Sequence, residues 1–499
     1  MRARRGVRGI VSFTLLSLSL VCFLAGNASA QDEEAKPAAG TEEETATPPP
    51  KPHKKAAAEE APAEEAAPPP AEAKPAPPPS GIQVANSNGW KLSVDGRINA
   101  FFVYGFGNHN ASTAPETGAN ITPGIGTGIT ADNQIDVNGN FKTPRIRSGF
   151  VPNIIGFNFS KQISENTVLS GRMALWSDVH SNVSVYINAQ TYVQEGYLKL
   201  EGPWGSFTAG RQLALFNRGA IEIDFNYGHN YGVGWPCNFN GVLPACGQIG
   251  YGALFPFFRA GLVYATPSFG GFQLTAGAFD PTILAGKWER LITPTFEAEA
   301  AFTQNFGGGG MVKVFANTVF QRLGGFANYV DPTPTDPNPP KDMRTIANKT
   351  VDQLGFAGGL RLEIGPLRLG ATAHYGKGLG FYYAQENSQV AVYFAADAFD
   401  PRDGDLRTFR GFYGQAALVF GKIMVAGGAG ASQVLTLSFD DTTMFPMPKQ
   451  NLGFNGVFNY HIYDNFVFDI DYFRAVSSWY GTAFTQTVNV VSSGFTMTF

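Results

Sequence analysis

The sequence has few charged residues and, beyond its amino terminus, no long apolar run. Only 15% of the 499 residues are charged, against about a quarter in soluble domains. No stretch after the amino terminus approaches the ~18 consecutive apolar residues that suggest a transmembrane helix. The first absence argues against an ordinary soluble protein, and the second argues against a helical membrane protein.

Cysteine is also scarce, and the three cysteines form no CxxC motif and no Cys/His metal spacing. Cys22 lies in the amino-terminal segment. Cys237 and Cys246 have eight residues between them, so they can close one short loop in a compartment that permits disulfides. Two separate thiols are the alternative. The sequence predicts neither a metal site nor a cofactor.

The amino-terminal part of the chain contains two segments that lie outside any folded core. Residues 1–30 combine a basic head, an apolar run and an A-x-A cleavage site at Ala28–Ala30, which together predict a signal peptide. Residues 31–80 are rich in Ala, Pro, Glu and Lys and contain no aromatic side chain. Because such a segment cannot bury a core, we expect a disordered periplasmic spacer. Contact of this spacer with the cell wall is the alternative.

From Trp90 onward the sequence alternates between apolar and polar residues. Up to Phe102 nearly every second residue is apolar, while Lys91, Asp95 and Arg97 occupy positions between them. A period of two is that of a β-strand with one apolar and one polar face. Helical periodicity is not seen, so helices should be minor. Residues 81–499 are therefore predicted to form one all-β domain.

Short turns alternate with long polar loops along this domain. Short connections at one end of the strands and long ones at the other are typical of outer-membrane β-barrels. The segments predict a transmembrane antiparallel barrel of about sixteen strands, with short periplasmic turns, long external loops and both chain ends on the short-turn side. The tight turns are predicted at residues 161–166, 202–205, 267–271, 306–310, 365–366, 421–422 and 461–465.

If the apolar side chains face lipid, strict alternation places many charged side chains on the inner face of the barrel. An Arg or Lys facing lipid at mid-depth costs roughly 2–4 kcal/mol, whereas a barrel of about sixteen strands is wide enough for a water channel. The lumen is therefore predicted to be wet. The inward residues are Lys91, Asp95, Arg97, Arg172, Glu195, Lys199, Arg259, Glu297, Glu299, Lys313, Arg361, Glu363, Arg368, Asp469 and Asp471.

The orientation of Arg211 is ambiguous. Phe207 and Ala209 share its parity, which places Arg211 on the lipid face unless the strand is bulged there. The orientation of Arg145 and Arg147 is also undecided by alternation, because Pro152 can break the register of their strand.

Three motifs and the last residue resemble the general Gram-negative porins, which are trimeric diffusion channels of about sixteen strands. The motifs are EGYLKL at Glu195–Leu200, GSFTAGRQ at Gly205–Gln212 and YATPSFGGF at Tyr264–Phe272, and the aromatic Phe499 closes the final alternating stretch. The likeness covers about residues 90–499. It implies a homotrimer, and it implies that Phe499 belongs to the signal for assembly into the outer membrane.

In that family the third external loop folds into the barrel and narrows the lumen. The corresponding segment is residues 212–258, and its acids Glu222 and Asp224 would face basic wall residues across the pore. Anchoring of the loop by hydrogen bonds is the alternative role of these acids. The aromatic residues between Phe225 and Phe258 either form a track for sugars or, as we expect, pack the loop against the wall. The wall candidates are Arg97, Arg172, Arg211 and Arg259, and a Cys237–Cys246 bridge would stiffen the same loop.

Together the residues and the resemblance predict a bacterial outer-membrane porin that passes small hydrophilic solutes and ions by passive diffusion. The alternatives are a porin that prefers anionic solutes or sugars, and a plugged barrel that acts as a cell-wall anchor or surface receptor. An enzyme is not expected, because no serine motif accompanies a histidine and an orienting polar group. Outer-membrane lipid and small hydrophilic solutes are the expected partners. Nucleic acid is not, since residues 81–499 carry a net charge of only about −2.

Overall fold

The computed structural model describes residues 81–108, 141–177, 179, 191–225, 247–282, 290–324, 350–383, 406–436, 447–481 and 485–499. All of them belong to the second of the two units into which the chain divides, Glu72–Phe499. The predicted signal peptide, the predicted spacer and both Cys237 and Cys246 lie outside the described residues. Within the described ranges no helix is long and apolar enough to cross a membrane.

The strands form one antiparallel sheet that closes on itself, because the last strand pairs with β2. The described helical segments are short: α1 is Arg218–Ile223, and 3-10 turns span Gly307–Gly309 and Gly380–Tyr383. The strands are β1 Ile82–Ser87, β2 Trp90–Asn108, β3 Phe141–Arg147, β4 Asn153–Ser164, β5 Thr167–Ser177, β6 Thr191–Gly202, β7 Gly205–Leu213, β8 Phe258–Ala265, β9 Phe272–Phe279, β10 Arg290–Leu291, β11 Thr295–Phe306, β12 Gly310–Gly324, β13 Thr350–Ile364, β14 Leu367–Lys377, β15 Thr408–Phe420, β16 Ile423–Val434, β17 Met447–Tyr463, β18 Phe466–Tyr480 and β19 Thr485–Thr498.

Sixteen strands make up the barrel wall, which confirms the predicted fold class. The segments β3 and β4 act as one wall strand, because both pair with β2 and only residues 148–152 separate them. Pro152 lies in that interruption, where a residue without an N–H cannot donate to the ladder. The remaining two segments are additions to the wall: β1 pairs with the first residues of β2, and β10 pairs with β12.

The seven predicted tight turns are confirmed. Each joins neighbouring strands through two to six residues. Two of them begin with a glycine at positive φ, Gly365 at 54° and Gly421 at 56°. A two-residue hairpin of this type needs a backbone conformation that glycine adopts without steric cost. The sequence could therefore locate these turns without knowledge of the tertiary structure.

Burial alternates along the wall strands as the period-two pattern predicts. On β2, Ile98 and Phe102 are exposed, whereas Arg97, Asn99 and Phe101 are buried. Because the sheet is closed, the exposed apolar face is the outside of the barrel, where it can meet lipid. The inward prediction is confirmed by burial for Arg97, Arg259, Glu297, Glu299, Asp469 and Asp471, and Arg147 is buried in the same way.

The barrel closes where β19 runs beside β2. Gly96 N–H donates to the carbonyl oxygen of Phe499, and Phe499 N–H donates to that of Gly96, both at 3.0 Å. A Cβ atom added at Gly96 would lie 2.7 Å from Cζ of Phe499, so the ring packs directly over this glycine. Gly96 therefore makes room for the aromatic residue at the closing seam.

Candidate functional site in the barrel interior

The chain that follows β7 is held by a carboxylate of a nearby strand of the inner wall. The N–H groups of Leu215 and Phe216 both donate to Oε2 of Glu297 on β11, at 2.6 and 2.7 Å. Ala214 N–H also donates to the carbonyl of Phe257, at 2.8 Å. Hydrogen bonds from backbone N–H to a buried carboxylate are charge-assisted and strong. The start of the predicted third loop is therefore fixed to the wall.

Arg259 on β8 completes this anchor. Its Nη2 forms an ion pair with Glu297 and donates to the hydroxyl of Tyr382 at 2.9 Å. Its Nη1 donates to Thr295 Oγ1 at 3.1 Å and to Thr282 Oγ1 at 3.2 Å. One buried arginine thus joins two wall strands to the segment that follows β14.

Two charged side chains of helix α1 bind the helix to the wall. Arg218 pairs with Glu299 of β11, and Glu222 Oε2 lies 2.5 Å from Lys313 Nζ of β12. Arg218 Nε also lies 3.6 Å from Glu222 Oε1, one helical turn away. The four side chains form a mixed cluster of two cations and two carboxylates. Its side chains keep 4–37% of their surface exposed.

Beyond α1 the chain contacts β15 and β13. Phe225 N–H lies 3.3 Å from Gln415 Oε1, and the Nε2 of Gln415 lies 3.4 Å from the carbonyl oxygen of Ile223. The guanidinium of Arg361 lies 5.5 Å from the ring centre of Phe225, a cation–π distance. These contacts place residues 214–225 against inward side chains of the wall.

Residues 247–257 contact a different part of the inner wall. Gly252 N–H donates to Ser432 Oγ of β16 at 2.8 Å, and Asn451 of β17 donates to the carbonyl oxygen of Gly250 at 3.3 Å. Gly252 has φ of 114°, and an added Cβ atom would collide with the carbonyl oxygen of Phe412. This close approach of two backbones requires glycine.

The two loop segments and the wall share an apolar core inside the barrel. Phe216 and Tyr382 meet edge to face at 5.0 Å, and Tyr251 meets Phe473 of β18 at 5.4 Å. Burial raises the pKa values of Tyr251 and Tyr382 above that of an ordinary tyrosine, so both phenols stay neutral at physiological pH. The interior is thus less polar than the wall residues alone predict, because the loop brings its own apolar side chains.

These rings bear on the expected role of the loop aromatics. Phe225, Tyr251, Phe255 and Phe257 are buried, as packing against the wall requires, and buried rings cannot form a sugar track. Tyr227, Tyr231, Trp235 and Phe239 lie outside the described residues.

A second charged cluster lies on the wall formed by β2, β4, β5 and β6. Arg172 donates from Nη1 to Asp95 Oδ2 at 2.7 Å and to Asn158 Oδ1 at 2.8 Å, and from Nε to Glu195 Oε2 at 3.0 Å. The three charged side chains keep about a fifth of their surface exposed, at 18–22%. Alternation correctly placed all three on one face, and pairing gives them their geometry.

The predicted acids of the loop are in the interior, and the described ion pairs of Glu222 involve residues other than the expected wall arginines. Glu222 contacts Lys313 and Arg218. Asp224 is buried and follows the last residue of α1. Arg172 pairs with Asp95 and Glu195, and Arg259 pairs with Glu297.

The assignment of Arg211 to the pore constriction is wrong in this structure. In the sheet register the backbone of Arg211 lies opposite Gly196 on one side and Ala260 on the other. Its side chain is exposed, on the same face of the sheet as the exposed Phe207. Its guanidinium donates to the carbonyl oxygen and to Oε1 of Gln194, at 3.1 and 3.3 Å. The pairing of β7 with β6 and β8 shows no register shift, so simple alternation holds and turns this side chain outward.

Sequence reasoning missed the residues that hold the loop. Alternation placed Glu297 inside, but no local signal showed that its carboxylate accepts from the backbone of residues 81 and 82 positions away. Gln415 and Tyr382 were missed entirely, because neither belongs to a charged pair or a motif. No group of three or more His, Cys, Asp or Glu side chains fit to hold a metal ion occurs in the described part of the chain.

The fold and the interior together define a class of protein. A closed wall of sixteen antiparallel strands, apolar outside and charged inside, with loop residues bound to its inner face, is a transmembrane β-barrel. The family comparison agrees with this class. A model of the Gram-negative porin family matches residues 66–427, which is more than half of the chain, and the chain belongs to that family.

A solved outer-membrane channel shows the same fold at low sequence identity. The outer-membrane channel DcaP of Acinetobacter baumannii is similar with a TM-score of 0.57 and 12% identity, over 84% of this chain and 100% of DcaP. OmpT of Vibrio cholerae gives a TM-score of 0.48 at 13% identity, over 84% and 100% of the two chains. OmpF of Salmonella typhi, solved with daunomycin, gives 0.48 at 11% identity over the same shares. No curated protein sequence matches the chain.

Membership of the porin family, with a barrel of sixteen strands, makes the protein a diffusion channel of the bacterial outer membrane. The family and the fold point to a channel rather than to an enzyme.

Proposed function

We propose that the channel passes small hydrophilic solutes and ions through a passage narrowed by residues 214–225 and 247–257. The observation that carries this proposal is the bond between the loop backbone and the inner wall, in which Glu297 accepts from Leu215 and Phe216. A segment held inside the barrel by a buried carboxylate reduces the cross-section left for solutes. The contacts of Gly252 with β16 extend the same effect to the other side.

The charges beside this passage support selection by size more than by the sign of charge. The α1 cluster has two cations, Arg218 and Lys313, and two carboxylates. The cluster around Arg172 has one cation and two carboxylates. Opposite charges in contact largely cancel at a distance, so neither cluster presents a strong field of one sign. The near-cancellation of charge in both clusters favours a general channel over one that prefers anions.

Conductance in planar lipid bilayers tests the proposal. Open currents that rise linearly with voltage, and that neutral solutes of increasing size progressively reduce, are the expected result. Block by one solute class at low concentration would instead indicate a substrate-preferring porin. Absence of current from protein that is shown to be folded would contradict the proposal and favour a plugged barrel.

We further propose a homotrimer that is made with a cleaved signal peptide, residues 1–30, and that carries residues 31–80 as a periplasmic spacer. The resemblance to the trimeric porins and the composition of these segments support this proposal. The molar mass in detergent tests the oligomer, and the amino-terminal mass of the purified chain tests cleavage before Gln31. Binding of purified cell-wall sacculi, compared with a variant that lacks residues 31–80, tests whether the spacer has a partner.

A disulfide between Cys237 and Cys246 is proposed on the same basis, because an envelope compartment permits it. Alkylation of the denatured protein should modify no thiol before reduction and two thiols after it. Two reactive thiols without reduction would contradict the bridge.

A further inference from the structure

The chain that follows β14 also folds into the barrel. We call residues 378–383 the inward turn, and the 3-10 turn Gly380–Tyr383 forms most of it. Its side chains Leu379, Tyr382 and Tyr383 have no exposed surface. Burial of three large side chains directly beyond a wall strand requires neighbours on the inner side, and the described contacts supply them.

The inner wall holds the inward turn at both ends. Nε2 of Gln353 on β13 donates to the carbonyl oxygen of Gly378 at 2.6 Å. Gly378 N–H donates to the carbonyl oxygen of Arg407 at 2.9 Å. At the other end, the hydroxyl of Tyr383 lies 2.8 Å from Nε2 of His374 on β14. Gln353 and His374 are both buried, so these bonds fix the turn against the inward face of β13 and β14.

Glycines in the wall make room for this turn. A Cβ atom added at Gly355 of β13 would lie 2.8 Å from Cδ2 of Leu379 and 2.8 Å from Cζ of Phe216. One added at Gly376 of β14 would lie 2.9 Å from Cδ1 of Leu379. Carbon atoms in contact are normally about 3.5–4.0 Å apart, so a side chain at either position would press on Leu379. Leu379 and Phe216, which comes from the predicted third loop, therefore share one recess in the wall.

Tyr382 joins the inward turn to both described segments of the third loop. Its ring meets those of Phe216 and Phe257 edge to face, at 5.0 and 6.0 Å. Its carbonyl oxygen accepts from Phe255 N–H at 2.7 Å, and its hydroxyl accepts from Arg259 at 2.9 Å. Phe216 belongs to the first segment, and Phe255 and Phe257 belong to the second. One residue thus contacts both segments and the arginine of the wall anchor.

From these contacts we infer that the inward turn holds the third loop in place, and that Tyr382 is the positioning residue of this contact. Loop segments with few buried contacts open locally at low free-energy cost. The inward turn adds buried rings and a backbone hydrogen bond to the contacts that the wall makes, and it thereby limits the opening of both segments.

This inference rests on the proposed passage narrowed by residues 214–225 and 247–257. It adds that a second connection, between β14 and β15, sets how firmly those residues are held. The simpler account of the same burial is that the turn fills space inside the barrel. Filling of space gives Tyr382 no more influence on the third loop than any other buried ring of the inner face has.

Truncation of two buried rings tests the inference on the full-length protein in detergent. Tyr382→Ala removes the contacts with the third loop. Phe101→Ala removes an equally buried ring of β2, which packs over Gly494 at the closing seam. Heat-modifiable gel mobility shows whether each barrel has folded. Hydrogen–deuterium exchange in residues 214–216 and 247–257 should be several-fold faster in Y382A than in the wild type, and unchanged in F101A.

Tyr382→Phe keeps the ring and removes only the hydroxyl that bonds to Arg259. Exchange in the two segments should lie between the rates of the wild type and of Y382A, because the ring packing and the backbone hydrogen bond remain. If Y382A does not fold, Y382F decides the question, and exchange in the third loop equal to that of the wild type overturns the inference.

Single-channel currents in planar bilayers separate this inference from the proposed function. Frequent transitions between current levels in Y382A, together with faster exchange, are the expected result and support both. Faster exchange with steady, wild-type currents supports the contact between turn and loop but contradicts narrowing by the loop. Exchange in the third loop that stays at wild-type rates in Y382A, or that rises equally in F101A, overturns the inference, while the conductance of the wild type still tests the channel.

Discussion

Lys313 of β12 and Glu222 of α1 form an ion pair inside the barrel, with Nζ and Oε2 2.5 Å apart. The two residues are 91 positions apart in the sequence. Their contact fixes α1, the only α-helix among the described residues, to the wall. The carboxylate of Glu222 remains partly exposed. Together with Glu299, this carboxylate balances the charges of Lys313 and Arg218 at the side of the passage.

Replacing Glu222 and Asp224 by Gln and Asn should shift the reversal potential toward anions. The reason is that Lys313 and Arg218 lose a neutralising charge while the size of the side chains is kept. Zero-current potentials in a salt gradient across a planar bilayer measure the effect. Lys313→Gln should shift the potential toward cations. Asp352→Asn, which alters an exposed pair with Arg322, is the control. A reversal potential that stays unchanged in the double variant would remove both acids from the passage.

Replacing Glu297 by Gln should destabilise the barrel and loosen the loop. The change leaves the buried Arg259 without its carboxylate, and removing one partner of a buried ion pair costs roughly 3–5 kcal/mol. The thermal unfolding temperature in detergent should fall, and single-channel currents should show more frequent transitions between levels. The exposed pair of Asp352 and Arg322 again gives the comparison, since exposed pairs contribute little. Equal unfolding temperatures for E297Q and D352N would contradict the anchor.

Replacing Gly252 by Ala should release residues 247–257 from the wall. The backbone there has positive φ, and an added Cβ atom would meet the carbonyl oxygen of Phe412. Strain of this kind costs about 1–3 kcal/mol. Hydrogen–deuterium exchange should become faster in residues 247–257. Gly456→Ala is a matched control, because an added Cβ atom there meets nothing within 4 Å. Similar exchange in both variants would show that the close approach is not restrictive.

Replacing Phe499 by Ala should reduce assembly of the barrel in the membrane. The ring packs over Gly96 at the seam, and its loss leaves the closing pair of strands with less apolar contact. The folded fraction in outer-membrane preparations, read from heat-modifiable gel mobility, should fall several-fold. Met497→Ala is the comparison, since Met497 is an exposed outward residue of the same strand. If the folded fractions of F499A and M497A were equal, Phe499 would have no special role in assembly.

Much of the fold follows from the sequence because alternation and turns are local properties. The parity of Asp95 and Arg172 placed both residues inside, and the structure joins them. Arg211 shows the limit of a resemblance. Its parity with Phe207 placed it outside, the family pattern placed it at the constriction, and the structure agrees with the parity. The period of a strand is imposed by backbone geometry, whereas the role of a residue in a related protein is not.

The candidate site was less predictable than the wall. Glu222 was expected opposite wall arginines, yet its described partners are Lys313 and Arg218. The anchor formed by Glu297 and Arg259 was not expected at all. Both depend on how a loop crosses the interior, and loop paths are set by contacts between residues distant in sequence.

The sequence by itself determined a closed β-barrel of the outer membrane, its tight turns and the face of most wall residues. Those features depend on the polarity and conformational freedom of neighbouring residues, which the order of amino acids records directly. Only the tertiary structure decided which charges meet and which wall residues hold the loop. Those relationships depend on distances between strands that the chain brings together when the sheet closes.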